Sequence, residues 1–70
     1  MRYAIVIEAA ENNFSAYVPD LPGCIATGDS VEETEQQIRE AIEFHLVGRR
    51  ADNLPIPAAS SRVDYVEVAA

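Results

Sequence analysis

The chain has 70 residues, twelve acidic side chains against five arginines, no lysine and a formal charge of -7. That balance argues against phosphate backbones and anionic membranes, whose recognition rests on clustered cationic side chains; on charge alone it fits either a basic partner, the natural electrostatic complement, or an acidity that serves only solubility. One cysteine, Cys24, excludes an intrachain disulfide and a cysteine-rich zinc site, so a domain this thin is expected to gain its stability margin from good packing or from association with other chains.

"MRYAIVIEAAENN" carries an apolar run of five residues that ends in charge. It is too short for a signal-peptide core or a bilayer span, and a cytoplasmic protein is expected. Within it, residues 2–9 read as a strand with Tyr3, Ile5 and Ile7 on one face and Ala4, Val6 and Glu8 on the other. A polar turn at "ENN" leads to a second strand over 14–18, where Phe14, Ala16 and Val18 alternate with Ser15 and Tyr17, and the two strands form a hairpin. "PDLPG" then acts as a corner: Pro19 and Pro22 each fix a φ angle, Asp20 suits a turn, and Gly23 can take positive φ. "CIATG" reads as a short third strand closed by Gly28.

A helix opens at "DSVEE". Ser30 followed by Glu33 is a capping box, and the acidic first turn suits the positive end of the helix dipole. Val31, Thr34, Ile38, Ala41, Ile42 and Leu46 form one apolar stripe, so the spacing predicts a helix to about Val47 with Gly48 as its C-cap. Glu35, Arg39 and Glu43 are spaced as i,i+4 ion pairs. "ADNLPIPAASS" cannot continue a helix and is an extended connector, and "RVDYVEV" over 62–68 alternates as a last strand. The fold class expected is α+β, in the order β-β-β-α-β: one domain over 1–70, a small antiparallel-rich sheet with the helix on one face.

Catalytic groups are sparse. His45 lies within the helix's apolar stripe and reads as a structural or interface histidine, and Cys24 as a small core residue. Glu8, Asp20 and Asp29 sit at strand ends or turns and are the carboxylates that could converge on a divalent ion for nuclease chemistry, although Asp also serves turns and first helical turns at such places. The expectation is therefore no catalytic residue, no cofactor and no metal. More informative is the polar side of the helix, where Phe44 and Val47 lie beside Glu33, Gln37 and Glu40: either the connector or a second subunit covers them, or they form a partner-facing patch of apolar anchors framed by carboxylates.

"FSAYVPDLPGCIATGDSVEETEQQIREAIEFHLVGRRADNLPIP" resembles the HicB-like antitoxin family through "PDLPGC", "TGDSVEE" and "LPIP" in that order, and the resemblance covers essentially residues 3–68. It implies a truncated RNase H-like fold without catalytic use. It also implies assembly as dimers or tetramers, and neutralisation of HicA, a small basic toxin that cleaves mRNA with a histidine. Many members continue into a DNA-binding module whereas this sequence stops at Ala70, so no direct DNA binding is expected. On this reading the partner is a HicA-like basic ribonuclease toxin, and the contact candidates are Asp20, Leu21, Glu33, Gln37, Glu40, Phe44 and Val47. The alternatives are a solitary oligomeric binding module or a residual metal-dependent nuclease.

Overall fold

The structure, a computed structural model, describes all residues from Met1 to Ala70. Three strands, β1 (Val6–Ala9), β2 (Phe14–Tyr17) and β3 (Ile25–Gly28), precede one helix, α1 (Val31–Ala51). The strands form an antiparallel sheet in the order β1-β2-β3, with Ile7 opposite Ala16 and Ala16 opposite Ala26. This is the α+β class expected.

The period-2 pattern decides which face is buried. Ala16 and Val18 are buried and Ile5, Ile7 and Ala26 pack against them, while Tyr17 and Ile25 turn to the opposite face. The helix lies on the first face, chiefly over β3 and β2, leaving β1 at its margin. Ile38 and Thr34 are fully buried at the contact, with Ala41, Ile42 and Leu46 around them. Each strand pairs over a shorter stretch than its apolar pattern covers. Residues 2–5 have no opposite partner because β2 ends at Tyr17, just before the chain leaves the sheet at Pro19.

The corner is two consecutive turns. Leu21 N–H donates to the Val18 carbonyl at 3.1 Å and Cys24 N–H to the Leu21 carbonyl at 3.1 Å, while Val18 N–H reaches the Cys24 carbonyl at 3.2 Å and closes the excursion. In the second turn Pro22 holds the first central position, and Gly23 has φ of 84° at the next, which suits a side chain poorly. The outcome is that Leu21, between the prolines, points inward and is wholly buried.

Helix α1 begins as the sequence indicates. The Ser30 hydroxyl accepts from Glu33 N–H at 3.0 Å, and the Glu33 carboxylate accepts from the N–H of Asp29, one residue before the cap. Its end differs from expectation. Gly48 is an interior helical residue and the helix runs on to Ala51, capped by Asp52. Asn53 takes the left-handed conformation with φ of 55°, its N–H donating to the Arg50 carbonyl at 3.2 Å, and Leu54 N–H donates to the Arg49 carbonyl at 2.8 Å. This paired termination is a Schellman motif with asparagine where glycine is commonest. Arg49 and Arg50 thereby fall in the last turn, where the dipole favours cations. The i,i+4 ion pairs expected at Glu35, Arg39 and Glu43 do not form; one salt bridge exists, Arg62 to Asp64 at 3.3 Å. Exposed pairs of this kind gain only tenths of a kcal/mol against side-chain entropy.

The last strand expected over 62–68 is also not formed. The connector folds back from the helix and is fastened at two points: the Tyr3 hydroxyl donates to the Pro57 carbonyl at 2.6 Å, and the Asp20 carboxylate accepts from Ser61 N–H at 2.8 Å. Beyond that anchor no backbone ladder reaches residues 62–68, so an alternating pattern is present without a partner strand.

Candidate functional site

The polar stripe of α1 is continuous in space. Glu33, Gln37, Glu40, Phe44 and Val47 follow one another along one exposed side of the helix, with Phe44 81% and Val47 58% exposed. These are large apolar groups in water, and neither the connector nor any other part of the chain covers them. Glu40 accepts from the Gln36 side chain at 2.8 Å, which orients its carboxylate on the surface.

Beside this stripe a cleft of about 440 Å³ opens between β3 and the C-terminal half of the helix. Phe44 stands on one wall, Ile25 on the other and Leu54 at the end, with Cys24 and His45 deeper in. Ile25 is 70% exposed and Leu54 50%, so the exposed apolar surface around Phe44 extends across the cleft to β3. Neither residue was singled out from the sequence. The signal for Ile25 was available: once Ala26 is assigned inward, alternation sends Ile25 outward. Leu54 had none, because its place follows from the helix ending four residues later than its apolar pattern suggests.

His45 is half-buried and is held through one ring nitrogen. Arg49 Nε–H donates to His45 Nε2 at 3.0 Å, while Arg49 Nη1 donates to the Pro55 carbonyl at 2.9 Å. The pair braces the helix end against the connector. Cys24 is buried, and burial pushes its thiol above the ordinary range.

The remaining candidates separate. Leu21 has no accessible surface and belongs to the core, which removes it as a contact residue. The sequence marked it by its place in a turn, and turns are usually outside; here the paired prolines fold it inward. Asp20 is occupied within the chain, accepting from Ser61 N–H, from the Ser61 hydroxyl at 2.7 Å and from the Ser60 hydroxyl at 3.3 Å. The Ser61 backbone N–H, then its hydroxyl, hold the Asp20 carboxyl below the usual carboxylate range. Asp20 is thus first a tether for the connector.

Glu8, Asp20 and Asp29 do not converge. Asp29 follows Gly28, which lies opposite Phe14 at the same end of the sheet as Ala9, whereas Asp20 lies beyond Val18 at the other end. No three histidine, cysteine or carboxylate side chains gather as a metal cluster. No helix is long and apolar enough to cross a membrane.

What the fold presents is an acidic α+β module with an exposed apolar cleft and a largely unpaired set of carboxylates. The family model described as "HicB_like antitoxin of bacterial toxin-antitoxin system" matches residues 3–69, and the chain belongs to that family. It is 42% identical over 65 residues to a UPF0150 protein of Helicobacter pylori, covering 91% of this chain and 90% of that one. It is 43% identical over 47 residues to a UPF0150 protein of Archaeoglobus fulgidus, covering 66% and 68%. To an uncharacterized 14.9 kDa protein of the rep-hol intergenic region of Haemophilus phage HP1 it is 35% identical over 66 residues; the match takes in 94% of this chain but half of the phage protein's length. No solved structure matches it. The family suggests a toxin–antitoxin role and points to a non-enzymatic protein.

Proposed function

We propose that this chain is a non-catalytic, cytoplasmic antitoxin that binds a small basic mRNA-cleaving ribonuclease of the HicA kind and covers its RNA-binding surface. The observation that carries this reading is the exposed helix stripe: Phe44 and Val47 offer apolar anchors, Glu33 and Glu40 stand beside them with no arginine paired to either, and the cleft to Ile25 gives the anchors a second wall. An acidic surface of this kind competes with RNA for a cationic toxin, because the carboxylates occupy the places phosphates would take, and central apolar anchors supply most of the binding energy. The formal charge of -7 speeds encounter with such a partner and makes it salt-dependent.

Co-expression with a HicA-like toxin tests the reading. Growth rescue, co-purification and loss of RNA cleavage in vitro are expected, with Phe44→Asp weakening the complex by roughly a hundredfold while the unfolding midpoint stays unchanged. Absence of both rescue and co-purification would overturn it and move the weight to a solitary binding module. Because the whole phage relative is twice the length matched, its partners do not transfer directly.

A further inference from the structure

The sheet has two edges, and they differ. The stretch leading into β1 faces Ser61–Val63 across a cleft, whereas β3 has no strand beyond it, and Ile25 and Thr27 lie exposed along its edge. The ladder fixes where the β3 backbone points. Val18 N–H donates to the Cys24 carbonyl, so Val18 and Cys24 form a hydrogen-bonded pair. Such pairs alternate with non-bonded ones along an antiparallel ladder, which makes Ala16–Ala26 bonded and Tyr17–Ile25 and Ser15–Thr27 non-bonded. The β1–β2 pairing has the complementary parity: Ala10 N–H donates to the Asn13 carbonyl, which places Ser15 and Tyr17 in bonded pairs on that side of β2. Ile25 and Thr27 therefore direct both N–H and C=O away from β2, toward solvent. An edge of this kind is a template for a further strand, and proteins commonly blunt it with lysine, proline or an inward-pointing charge. Ile25-Ala26-Thr27-Gly28 contains none of these.

The helix decides what an added strand must carry. β3 and α1 run in opposite directions: Gly28 passes beneath Thr34 in the first helical turn, whereas Cys24 shares the cleft with Phe44 and Gly48. A strand laid about 4.8 Å outside β3 enters that cleft. Its side chain opposite Cys24 points toward Phe44, Gly48 and Leu54, and Gly48 leaves it room, since nothing lies within 4 Å of where a Cβ at that position would stand. That place suits an apolar group. Side chains opposite Ala26 and Gly28 point toward the N-terminal half of the helix, where Glu33 and Glu40 pair with no arginine, and that place suits cations. A second copy of this chain is a poor match. Its exposed alternating segment over 62–68 carries Asp64 and Glu67, and each copy has a formal charge of -7.

We propose that a basic partner docks by adding an extended segment to the outer edge of β3, hydrogen-bonded to the backbone of Ile25 and Thr27. One apolar side chain of that segment enters the cleft beside Phe44, and its cationic side chains lie toward Glu40 and Glu33. The partner's identity as the toxin rests on the antitoxin reading; the main-chain contact is additional to it. In strand addition the backbone bonds give affinity and the pockets for alternate side chains give specificity. Here the cleft selects the apolar residue and the carboxylates select the charge.

Proline at the edge tests the contact. Thr27→Pro removes an N–H that β2 does not use, at a place where an edge strand tolerates proline, and leaves no donor there for an incoming strand. Titrated with a purified HicA-like toxin, the variant is expected to bind roughly tenfold more weakly than the wild-type chain, with an unchanged unfolding midpoint. Amide hydrogen exchange on the wild-type chain gives a second reading that needs no substitution. In the free chain Ile25 and Thr27 should exchange fast beside a protected Ala26, and the toxin should slow both by about tenfold or more. A Thr27→Pro chain that binds like wild type, or Ile25 and Thr27 amides that stay fast in the complex, would overturn the edge contact and leave the antitoxin reading standing. A wild-type chain that binds no such toxin would remove both. Protection of the two amides that grows with the concentration of the free chain would make the occupant a second copy and overturn the basic partner.

Discussion

Gly28 lies so close to Thr34 that a Cβ at position 28 would stand 2.6 Å from the Thr34 hydroxyl oxygen and 2.7 Å from its backbone nitrogen. The end of β3 thus passes directly beneath the first turn of α1, where the fully buried Thr34 donates its hydroxyl to the Ser30 carbonyl at 2.7 Å. Backbone cannot yield as a flexible side chain can, so Gly28→Ala must move strand or helix and is expected to destabilise by about 1–3 kcal/mol. Gly48 supplies the contrast: nothing lies within 4 Å of its added Cβ, and it sits inside the helix. Gly48→Ala should stabilise by up to ~1 kcal/mol through helix propensity. Thermal unfolding of the two variants should move in opposite directions, and a shift of the same sign in both would refute the close approach.

Asn53 is the second backbone position where residue type matters. Its φ of 55° carries the helix end into the Leu54–Pro55 connector, and a β-branched residue fits that region badly. Asn53→Val should cost about 1–2 kcal/mol and Asn53→Gly should be close to neutral in denaturant titrations. Equal midpoints for the two would contradict the left-handed cap.

Cys24 is 4% exposed, and desolvation raises its thiol pKa, so little thiolate is available at neutral pH. A disulfide reagent at pH 8 should modify it only as fast as the domain opens, and at the rate of a free thiol once the chain is unfolded. Complete modification of the native protein within seconds would place the sulfur at the surface.

Much of this architecture is local chemistry that a sequence displays directly. The Ser30 cap, the inward stripe of Thr34, Ile38 and Ile42, and positive φ at Gly23 each follow from residue type and spacing, and each is present. The departures depend on contacts that spacing cannot express. Gly48 resembles a stop signal, but the helix continues because Arg49 finds His45 and the Pro55 carbonyl, and Asn53 supplies the left-handed turn further on. Leu21 resembles an exposed turn residue and is buried because two prolines fold it inward. The pattern in residues 62–68 is that of a strand, yet pairing is a property of two backbones, and alternation in one of them does not reveal where the other is. For the candidate site, Phe44 and Val47 were legible as apolar breaks in a polar face, whereas Ile25 and Leu54 join them only through the third dimension.

The tether between Asp20 and Ser61 spans 41 positions of sequence and rests on a charge, which makes it sensitive to acid. The Ser61 N–H donates to one carboxylate oxygen at 2.8 Å and the Ser61 hydroxyl to the other at 2.7 Å, and together they hold the Asp20 carboxyl below its ordinary value of 3.8. With the folded pKa below the unfolded one, the folded chain binds fewer protons at intermediate pH. The tether's contribution is therefore fully present above the ordinary carboxylate range and is lost as pH falls through it toward the lower folded value. The amide resonance of Ser61 should accordingly stay constant from neutral pH down to about pH 5 and shift at lower pH, with a midpoint below 3.8. Asp20→Asn, which keeps a carbonyl acceptor but cannot ionise, should abolish that titration while leaving the far-ultraviolet circular dichroism of the sheet and helix unchanged. A midpoint at or above 3.8, or the same titration in Asp20→Asn, would show that this carboxylate does not hold the connector.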